Sequence, residues 1–295
     1  MPGFFKKQLW ALVLLVLLGF PDSALTRKRD AIYIGFAGAL TGPYADVSHS
    51  MLQGAMLAVD DINSGGEVLG KKLKLIVEDD GGTPEIGANV ATKMANDGQV
   101  QFVIGHTTGG TTRAALRVYR AADILVISPS AGYDGLTRSG DYPNFFRFTF
   151  RDEVYKKILT QIHATWDYRL IPAIDRGMYN HIRNKYTRKF DTTPHPYAFN
   201  AYASVQVLAY AIEEAGSLDY GRVQGVLASR QPINTIFGRV MFDENGDLSG
   251  EQFTLFDLED PGRGIIETPN PKDKDFCKKC GCKKDDGCEK CAKCE

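Results

Sequence analysis

The sequence predicts an α/β fold built on a doubly wound parallel sheet, and two observations carry this prediction. Short apolar runs alternate with segments of helical periodicity between residues 31 and 120. Such alternation favours a parallel sheet with helices on both faces. Two successive predicted strands also end in small polar loops, residues 107–112 and 130–132. Loops of this kind at neighbouring strand ends form one wall of a small-molecule cleft in open α/β sheets.

The elements of this sheet can be placed in order from periodicity and from glycine, proline and capping residues. Thr83 followed by Pro84 predicts a capped helix start, and Gly98 predicts its end. We expect Leu73, Leu75 and Val77 on one strand face, and Ile86, Val90 and Met94 on an inward helix face. The predicted elements are the strand 31–36, the loop 37–50, the helix 51–64, the strand 72–79, the helix from Pro84 to about 96, the strand 100–106, the helix 111–120 and the strand 123–128.

After residue 150 the chain is mostly helical. Helices are predicted over residues 156–166, 176–190 and 197–215, with a further helix capped by Asp219. Asn245–Gly246 is a strong signal for a two-residue hairpin turn. From residue 267 the composition changes to Pro, Lys, Asp and Cys, which indicates a tail.

Several motifs, in this order, resemble the periplasmic leucine/isoleucine/valine-binding proteins. The motifs lie at residues 38–43, 53–63, 104–112, 127–131, 197–216 and 242–250. The resemblance covers about residues 31–150 and 177–258. It implies the type I periplasmic binding-protein fold, an amino-acid or amide ligand, and a role beside the permease of an ABC importer.

The resemblance also implies a second lobe, and most of that lobe is absent. Only about 25 residues separate the predicted crossing near Phe150 from the returning helices, so on the order of a hundred residues are missing. The second lobe is therefore expected to be reduced to a remnant. Either the reading frame is degenerate or misassembled, or a one-lobe protein borrows its other wall from a partner. The predicted domains are a signal peptide 1–26, a first lobe 30–150 with 175–236, a second-lobe remnant 151–174 with 237–265, and a Cys-rich tail 266–295.

The family's ligand positions can be carried onto this sequence. Gly109 stands where the resemblance implies a ligand-holding serine, and Ser130 and Gly132 match the second loop. Thr107, Thr108 and Thr111 either compensate for the lost hydroxyl group or cap the following helix. The predicted ligand-binding residues are Tyr44, Thr108, Gly109, Gly110, Ser130, Ala131 and Gly132.

No catalytic motif is recognisable, so we expect a protein that is not an enzyme. His106 lacks a paired nucleophile and is interpreted as a structural histidine. Asp79 and Asp80 are interpreted as a solvated strand end rather than an acid pair or a metal site. The net charge of −1 gives no electrostatic case for binding nucleic acid.

The first 26 residues have the pattern of a signal peptide. Lys6 and Lys7 precede an apolar core at residues 9–20, which is shorter than the roughly 20 residues that span a membrane. We expect an exported, periplasmic protein that meets the membrane only through the permease.

The tail carries all six cysteines of the chain, in two CxxC pairs with two further cysteines. Thiolates at this spacing suit Zn²⁺, whereas an exported chain favours disulfides, with 15 possible connectivities. No cofactor is expected for the lobe. The predicted zinc ligands are Cys277, Cys280, Cys282, Cys288, Cys291 and Cys294.

The function that the sequence favours is an exported solute-binding protein of an ABC importer, and the truncation leaves open whether it still binds its ligand. The alternative is a metal- or redox-handling protein that acts through its Cys-rich tail. A third alternative is an inert relative that binds no ligand.

Overall fold

The computed structural model describes residues 31–161, 168–250, 253–257 and 265–266. The predicted signal peptide and Cys-rich tail lie outside these ranges. The strands are β1 (Ala31–Gly38), β2 (Lys72–Asp79), β3 (Val100–Gly105), β4 (Leu125–Ser128), β5 (Phe145–Arg147), β6 (Tyr168–Pro172), β7 (Ile233–Thr235), β8 (Gly238–Val240), β9 (Phe253–Asp257) and β10 (Ile265–Ile266). The helices are α1 (Ala45–Gly65), α2 (Pro84–Asp97), α3 (Gly109–Ala121), α4 (Asp152–Gln161), α5 (Arg176–Phe190), α6 (Pro196–Ala215) and α7 (Tyr220–Ala228).

The main sheet has the order β2-β1-β3-β4-β5, and every neighbouring pair is parallel. Side chains alternate between two cores: Ile127 faces the core under α1 and α6, whereas Val126 faces the core under α2 and α3. A sheet covered on both faces needs near-continuous apolar strands, which explains the Val- and Ile-rich runs. The predicted doubly wound parallel sheet is confirmed.

Helix α1 begins six residues earlier than predicted, at Ala45 rather than Met51. Its first turns carry buried serines instead of apolar residues. Ser48 lies 2.7 Å from the hydroxyl oxygen of Thr107, and Ser50 lies 2.9 Å from that of Tyr186. Because these serines are buried through tertiary hydrogen bonds, hydrophobic periodicity could not reveal them.

One residue of the predicted inward helix face is exposed, and so is one residue of the predicted apolar strand face. Val77 is 41% exposed at the far end of the edge strand β2, and Ile86 is 43% exposed in the first turn of α2. Leu73, Val90 and Met94 are buried as predicted. Val77 and Ile86 lie at the rim of the sheet, where no further element of the described ranges covers them.

Helices α1 and α6 pack in close contact on one face of the main sheet. A Cβ atom at Gly54 would lie 2.1 Å from the carbonyl oxygen of Ala198, so only glycine fits at this crossing. The contact fixes α6 over β3 and β4. It also fixes the start of α6 beside the carboxyl ends of the strands, where Asn200 donates a hydrogen bond to the carbonyl of Pro129.

A second, antiparallel sheet has the order β10-β9-β6. Helix α4 lies against it, and Tyr155, Ile158, Leu170 and Leu255 form a small separate core. Strands β6 and β9 come from the two segments assigned to the second-lobe remnant. The β7–β8 hairpin instead packs Ile233 and its neighbours into the core of the main sheet. The predicted domain boundary at residue 236 falls inside this hairpin.

Helices α5 and α6 agree with the sequence prediction to within one residue at each end. Asp219 caps α7 by accepting a hydrogen bond from the backbone N–H of Arg222, as predicted. The helix predicted over residues 156–166 is described as α4, which begins four residues earlier; residues 162–167 lie outside the described ranges. Asn245–Gly246 lies in a turn closed by the backbone N–H of Asp243 and the carbonyl of Asp247.

Candidate functional site

A cavity of about 320 Å³ lies at the carboxyl ends of the central strands. The strand order reverses direction between β1 and β3, so the loops that follow these strands diverge and leave a crevice between them. The residues that line the cavity are Tyr44, Val47, Thr107, Thr108, Gly109, Ser130, Gly132, Tyr133, Asp152, Tyr155, Arg169, His195 and Tyr197.

The start of α3 forms the floor of this cavity. Thr108 caps the helix by accepting a hydrogen bond from the N–H of Thr111, and the Thr111 hydroxyl group accepts one from the N–H of Thr108. Thr107 is buried and accepts a hydrogen bond from the N–H of Ala39. The threonine hydroxyl groups therefore hold the loop together, as the capping alternative expected. The N–H of Gly109, at the first helical position, has no acceptor within the helix.

Two glycines of the site stand where neighbouring side chains leave no room for a Cβ atom. A Cβ at Gly109 would lie 2.5 Å from the Cβ of Tyr133. A Cβ at Gly132 would lie 2.1 Å from Oδ1 of Asp152. The hydroxyl groups expected from the resemblance are thus replaced by a tyrosine ring and a carboxylate.

The structure brings together most of the predicted ligand-binding residues but not all of them. Tyr44, Thr108, Gly109, Ser130 and Gly132 line the cavity. Outside its lining, Gly110 is exposed with ordinary van der Waals contact to Pro84, and Ala131 is buried in the core beneath α2 and α3. Whether the five lining residues touch a ligand stays a prediction.

Thr107, which the sequence offered as a compensating hydroxyl group, also lines the cavity, but sequence reasoning missed Tyr133 and the side chains opposite. Asp152 and Tyr155 come from α4, Arg169 from β6, and His195 and Tyr197 from the start of α6. These elements form a partial second wall opposite the first-lobe loops. No spacing rule links residues so distant in sequence. The expectation that this chain supplies only one wall of the cleft is wrong, because the second-lobe remnant contributes side chains to it.

The surroundings shift the pKa values of three titratable groups that line the cavity. Burial raises the pKa of Asp152, and the nearby Asp134 raises it further. Burial lowers the pKa of His195 to about 3, and the positive charge of Arg169 lowers it as well, so the imidazole is neutral at pH 7. Burial also raises the pKa of Tyr197. The cavity therefore presents the Asp152 carboxylate, the Arg169 guanidinium and uncharged aromatic rings.

His106 is a structural residue, as the sequence suggested. Its Nδ1 lies 2.6 Å from Oδ2 of Asp80, and its Nε2 lies 3.2 Å from the hydroxyl oxygen of Tyr119. The interpretation of Asp80 as part of a solvated strand end is wrong, because its side chain is fully buried against His106. Asp79 is partly exposed and accepts hydrogen bonds from Thr41. The buried pair ties the end of β2 to the end of β3 and offers no access to a ligand.

A second cavity of about 430 Å³ lies beside the first, between α1, the loop before α6 and Phe256. His195 contributes to both cavities. The interior polar groups here are engaged with one another, since the Ser50 hydroxyl oxygen accepts a hydrogen bond from the N–H of His195, and Tyr186 contacts both Ser50 and Gln53. This cavity has no matching prediction from the sequence.

No metal site can be built from the described residues, among which no three His, Cys, Asp or Glu side chains lie together. The six cysteines predicted to bind zinc are outside the described residues, so that prediction stays open. Within the same described part of the chain, no helix is long and apolar enough to cross a membrane.

Comparison with known proteins decides the family. Residues 31–155 match the family model described as periplasmic binding protein. This segment belongs to that family. The binding-protein segment is 35% identical over 133 residues to a leucine-, isoleucine-, valine-, threonine- and alanine-binding protein of Pseudomonas aeruginosa, covering 45% of this chain and 35% of the relative. It is 36% identical over 125 residues to a Leu/Ile/Val-binding protein of Escherichia coli K12, and this match covers 42% of this chain and 33% of the relative.

The match thus spans about a third of these curated binding proteins. The resemblance inferred from the sequence motifs is confirmed for this segment: residues 31–155 match the periplasmic binding-protein family and are similar to binding proteins for branched-chain amino acids.

Solved structures extend the likeness of fold beyond residue 155. A branched-chain amino-acid transporter substrate-binding protein of Streptococcus pneumoniae, solved with isoleucine, aligns with a TM-score of 0.64 and 19% identity over 77% of this chain and 95% of its own. A leucine-binding protein of Thermotoga maritima aligns with a TM-score of 0.67 and 13% identity, over 82% of this chain and 99% of its own. At these identities the likeness is one of fold.

Proposed function

We propose that this protein is an exported solute-binding protein of an ABC importer, takes a single amino acid or a related small molecule, and is not an enzyme. The observation that carries the proposal is the cavity at the strand ends, most of whose lining comes from the segment that matches binding proteins of amino acids. Its volume of about 320 Å³ is at the small end of ligand pockets. On this proposal its partner is the permease of that importer.

The chemistry of the cavity supports a ligand with both charges of an amino acid. The N–H of Gly109 and the dipole of α3 favour a carboxylate at the floor of the cavity. Asp152, across the cavity, favours an ammonium group. Ser130 is not free to reorient, because its hydroxyl group donates a hydrogen bond to the carbonyl of Thr107 at 2.8 Å.

Binding is expected to be weak for free leucine, isoleucine or valine. Only α4, β6 and the start of α6 stand opposite the first-lobe loops, so much of a ligand would remain in water. The ordering of a ligand costs free energy that few contacts offset. Titration calorimetry with each amino acid tests this. A micromolar dissociation constant, about −8 kcal/mol, would overturn the conclusion that the truncation impairs capture.

Asp152→Asn separates specific weak binding from nonspecific binding. The variant should weaken any amino-acid binding that is measured, because it removes the negative charge that faces the ammonium group. Asp141→Asn is the matched control, since Asp141 is exposed and its carboxylate is not part of the lining. Equal affinities for the two variants would count against this cavity as the site.

A second proposal rests on the tail sequence alone. Six cysteines in 18 residues support a zinc-binding or redox role. Reduced protein should then take up about one Zn²⁺ or more per chain and release protons, and changing Cys280 and Cys288 to Ser should abolish uptake. A chain isolated with all thiols oxidised and no bound metal, as measured by mass spectrometry, would contradict the zinc role and favour disulfides.

A further inference from the structure

The strand β2 forms one edge of the main sheet, so half of its backbone groups face away from the sheet. In a parallel pair, alternate residues of one strand direct their N–H and carbonyl groups towards the other. Just past β2, the N–H of Asp80 donates to the carbonyl of Gly38, which places the even-numbered residues on the inner side. Leu73, Leu75 and Val77 therefore direct their backbone groups outward.

Of these three outward residues, the first alone is closed off within the described part of the chain. The Asn63 side chain bonds both backbone groups of Leu73: its Oδ1 accepts from the N–H at 2.7 Å, and its Nδ2 donates to the carbonyl at 2.9 Å. Among the described residues, nothing bonds the outward groups of Leu75 and Val77. The Val77 side chain is also 41% exposed. A free strand edge of this kind is a template for pairing with a further strand.

The charges along β2 suit a second copy of the same strand. Antiparallel pairing about a two-fold axis at Ile76 would place Leu75 opposite Val77 of the second copy, and the reverse, with two hydrogen bonds in each pair. The same register places Lys74 opposite Glu78 of the second copy, twice by symmetry. Directly opposed residues share a face of the sheet, so these opposite charges meet.

The neighbouring registers of this pairing are less favourable. An axis one residue earlier would place Val77 opposite Leu73, whose backbone groups Asn63 already binds. An axis one residue later would place the apolar side chain of Ile76 opposite the carboxylate of Glu78. Asn63 thus limits the extent of the pairing, and the charges select the register.

Both charged side chains are available for this contact. Lys74 is exposed, and its Nζ lies 6.0 Å from the centroid of the Tyr33 ring, with no carboxylate among the described residues paired to it. Glu78 pairs with Lys93 at 2.7 Å. A carboxylate has acceptor sites for a second cation, so this pair does not block Lys74 of the second copy.

We propose that β2 is a self-association edge, through which two copies of this chain join their five-stranded sheets into one continuous sheet. The opposite edge strand β5 is already occupied, because the N–H of Arg147 donates to the carbonyl of Gly246. One free edge per chain gives a closed dimer. The carboxyl ends of the two sheets, and with them the two cavities, then point in opposite directions. Two short strands bury little area, so the dimer is transient.

Sedimentation velocity of the full chain between about 10 µM and 1 mM tests the proposal. A reducing agent and a chelator keep the cysteines of the tail from linking copies. A dimer should form as the concentration rises. Lys74→Glu should weaken it about fivefold or more, because two like-charge pairs replace two pairs of opposite charge.

Two further variants separate the opposed pair from the general charge of the strand. Combining Lys74→Glu with Glu78→Lys restores the opposite charges and should return the affinity to within about threefold of the wild type. Lys72→Glu is the matched control, since Lys72 lies on the same face of β2 but has no residue of the partner strand opposite it. It should change the affinity by less than about twofold. Circular dichroism verifies that each variant is folded.

Amide hydrogen exchange of the wild type locates the contact without any substitution. The N–H groups of Leu75 and Val77 should exchange more slowly at high than at low protein concentration, because pairing with the second copy protects them. The N–H of Ile76 faces β1 and should exchange at the same rate at both concentrations.

Three outcomes would overturn the proposal. The first is a chain that stays monomeric up to about 1 mM. The second is a dimer in which the exchange of Leu75 and Val77 is no slower, since its interface would lie elsewhere. The third is protection of both amides at every concentration, since another segment of the same chain would then cover the edge. Ligand binding at the cavity is independent of all three.

Discussion

The identity of residue 109 is decided by Tyr133, which packs directly against it. Glycine is a poor helix former, yet it begins α3 because a Cβ there would lie 2.5 Å from the Cβ of Tyr133. The next residue, Gly110, is under no such constraint, since a Cβ at that position would come no closer than 3.6 Å to its nearest neighbour, the Cγ of Pro84. Two adjacent glycines thus have different structural roles.

This difference predicts different costs of substitution. Gly109→Ser should destabilise the protein by about 1–3 kcal/mol, because the serine forces Tyr133 out of its place. Gly110→Ser should change stability by no more than about 0.5 kcal/mol. Urea denaturation measures both variants. Adding Tyr133→Ala to Gly109→Ser should recover part of the loss, and equal losses for the two single variants would refute the steric argument.

His195 contributes a pH dependence of stability whose direction follows from its lowered pKa. Burial and then the charge of Arg169 hold the folded pKa at about 3, while an unfolded histidine titrates near about 6.5. The unfolded chain therefore binds this proton at higher pH than the folded chain. The contribution is fully present above about pH 6.5 and is lost as the pH falls towards 3, by at most about 1.4 kcal/mol per pH unit.

The measurement compares the wild type with His195→Asn, which keeps an acceptor for the N–H of Tyr197. Asp152, Tyr155 and Arg169 also line the cavity around His195 and are the same in both proteins, so the comparison isolates His195. The wild type should lose more unfolding free energy than the variant between about pH 7 and pH 4.5. Parallel pH profiles would show that His195 is not the titrating group.

At the scale of elements, the short strand β5 is held at the sheet edge by a buried ion pair. The Arg147 Nε lies 2.8 Å from Oδ1 of Asp247, and its guanidinium also donates hydrogen bonds to Thr137 and to the carbonyl of Gly132. Burial lowers the pKa of Arg147, whereas Asp247 opposes that effect. The turn around Gly246 thereby fixes the loop that lines the cavity.

Asp247→Ala should destabilise the protein by about 3–5 kcal/mol, because it leaves the Arg147 charge buried without its partner. Arg151→Ala is the control, since Arg151 reaches Asp247 only at 3.5 Å and is partly exposed. Its loss should stay below about 1 kcal/mol. Thermal unfolding distinguishes the two variants. A loss of stability in Arg151→Ala as large as that in Asp247→Ala would contradict the conclusion that Arg147 is the main partner of Asp247.

Across the whole molecule, the main sheet and its helices form one core that joins residues distant in sequence. The core under α1 and α6 contains Ile34 of β1, Ile127 of β4 and Phe242, which lies beyond β8. Limited proteolysis should therefore leave a resistant fragment that contains residues 51–128. Mass spectrometry identifies it, and rapid cleavage within that range at low protease concentration would contradict a packed lobe.

The sequence predicted much of this architecture because its signals are local. Thr83 and Gly98 bound α2 through capping that needs only neighbouring residues, and the apolar run of β3 requires burial on both faces wherever it lies. The small polar loops at residues 107–112 and 130–132, which follow two such strands, were likewise predicted to form one wall of a cavity. These elements depend on contacts within a few residues, so a single sequence specifies them.

Tertiary structure alone decided what stands opposite that wall. Asp152, Arg169 and Tyr197 reach the cavity only because α4 folds against the small sheet and α6 crosses α1 at Gly54. The burial of Asp80 likewise depends on His106, which is 26 residues away in sequence. Periodicity and capping report on one element at a time, whereas a cavity and a buried charge pair form only after distant elements have packed together.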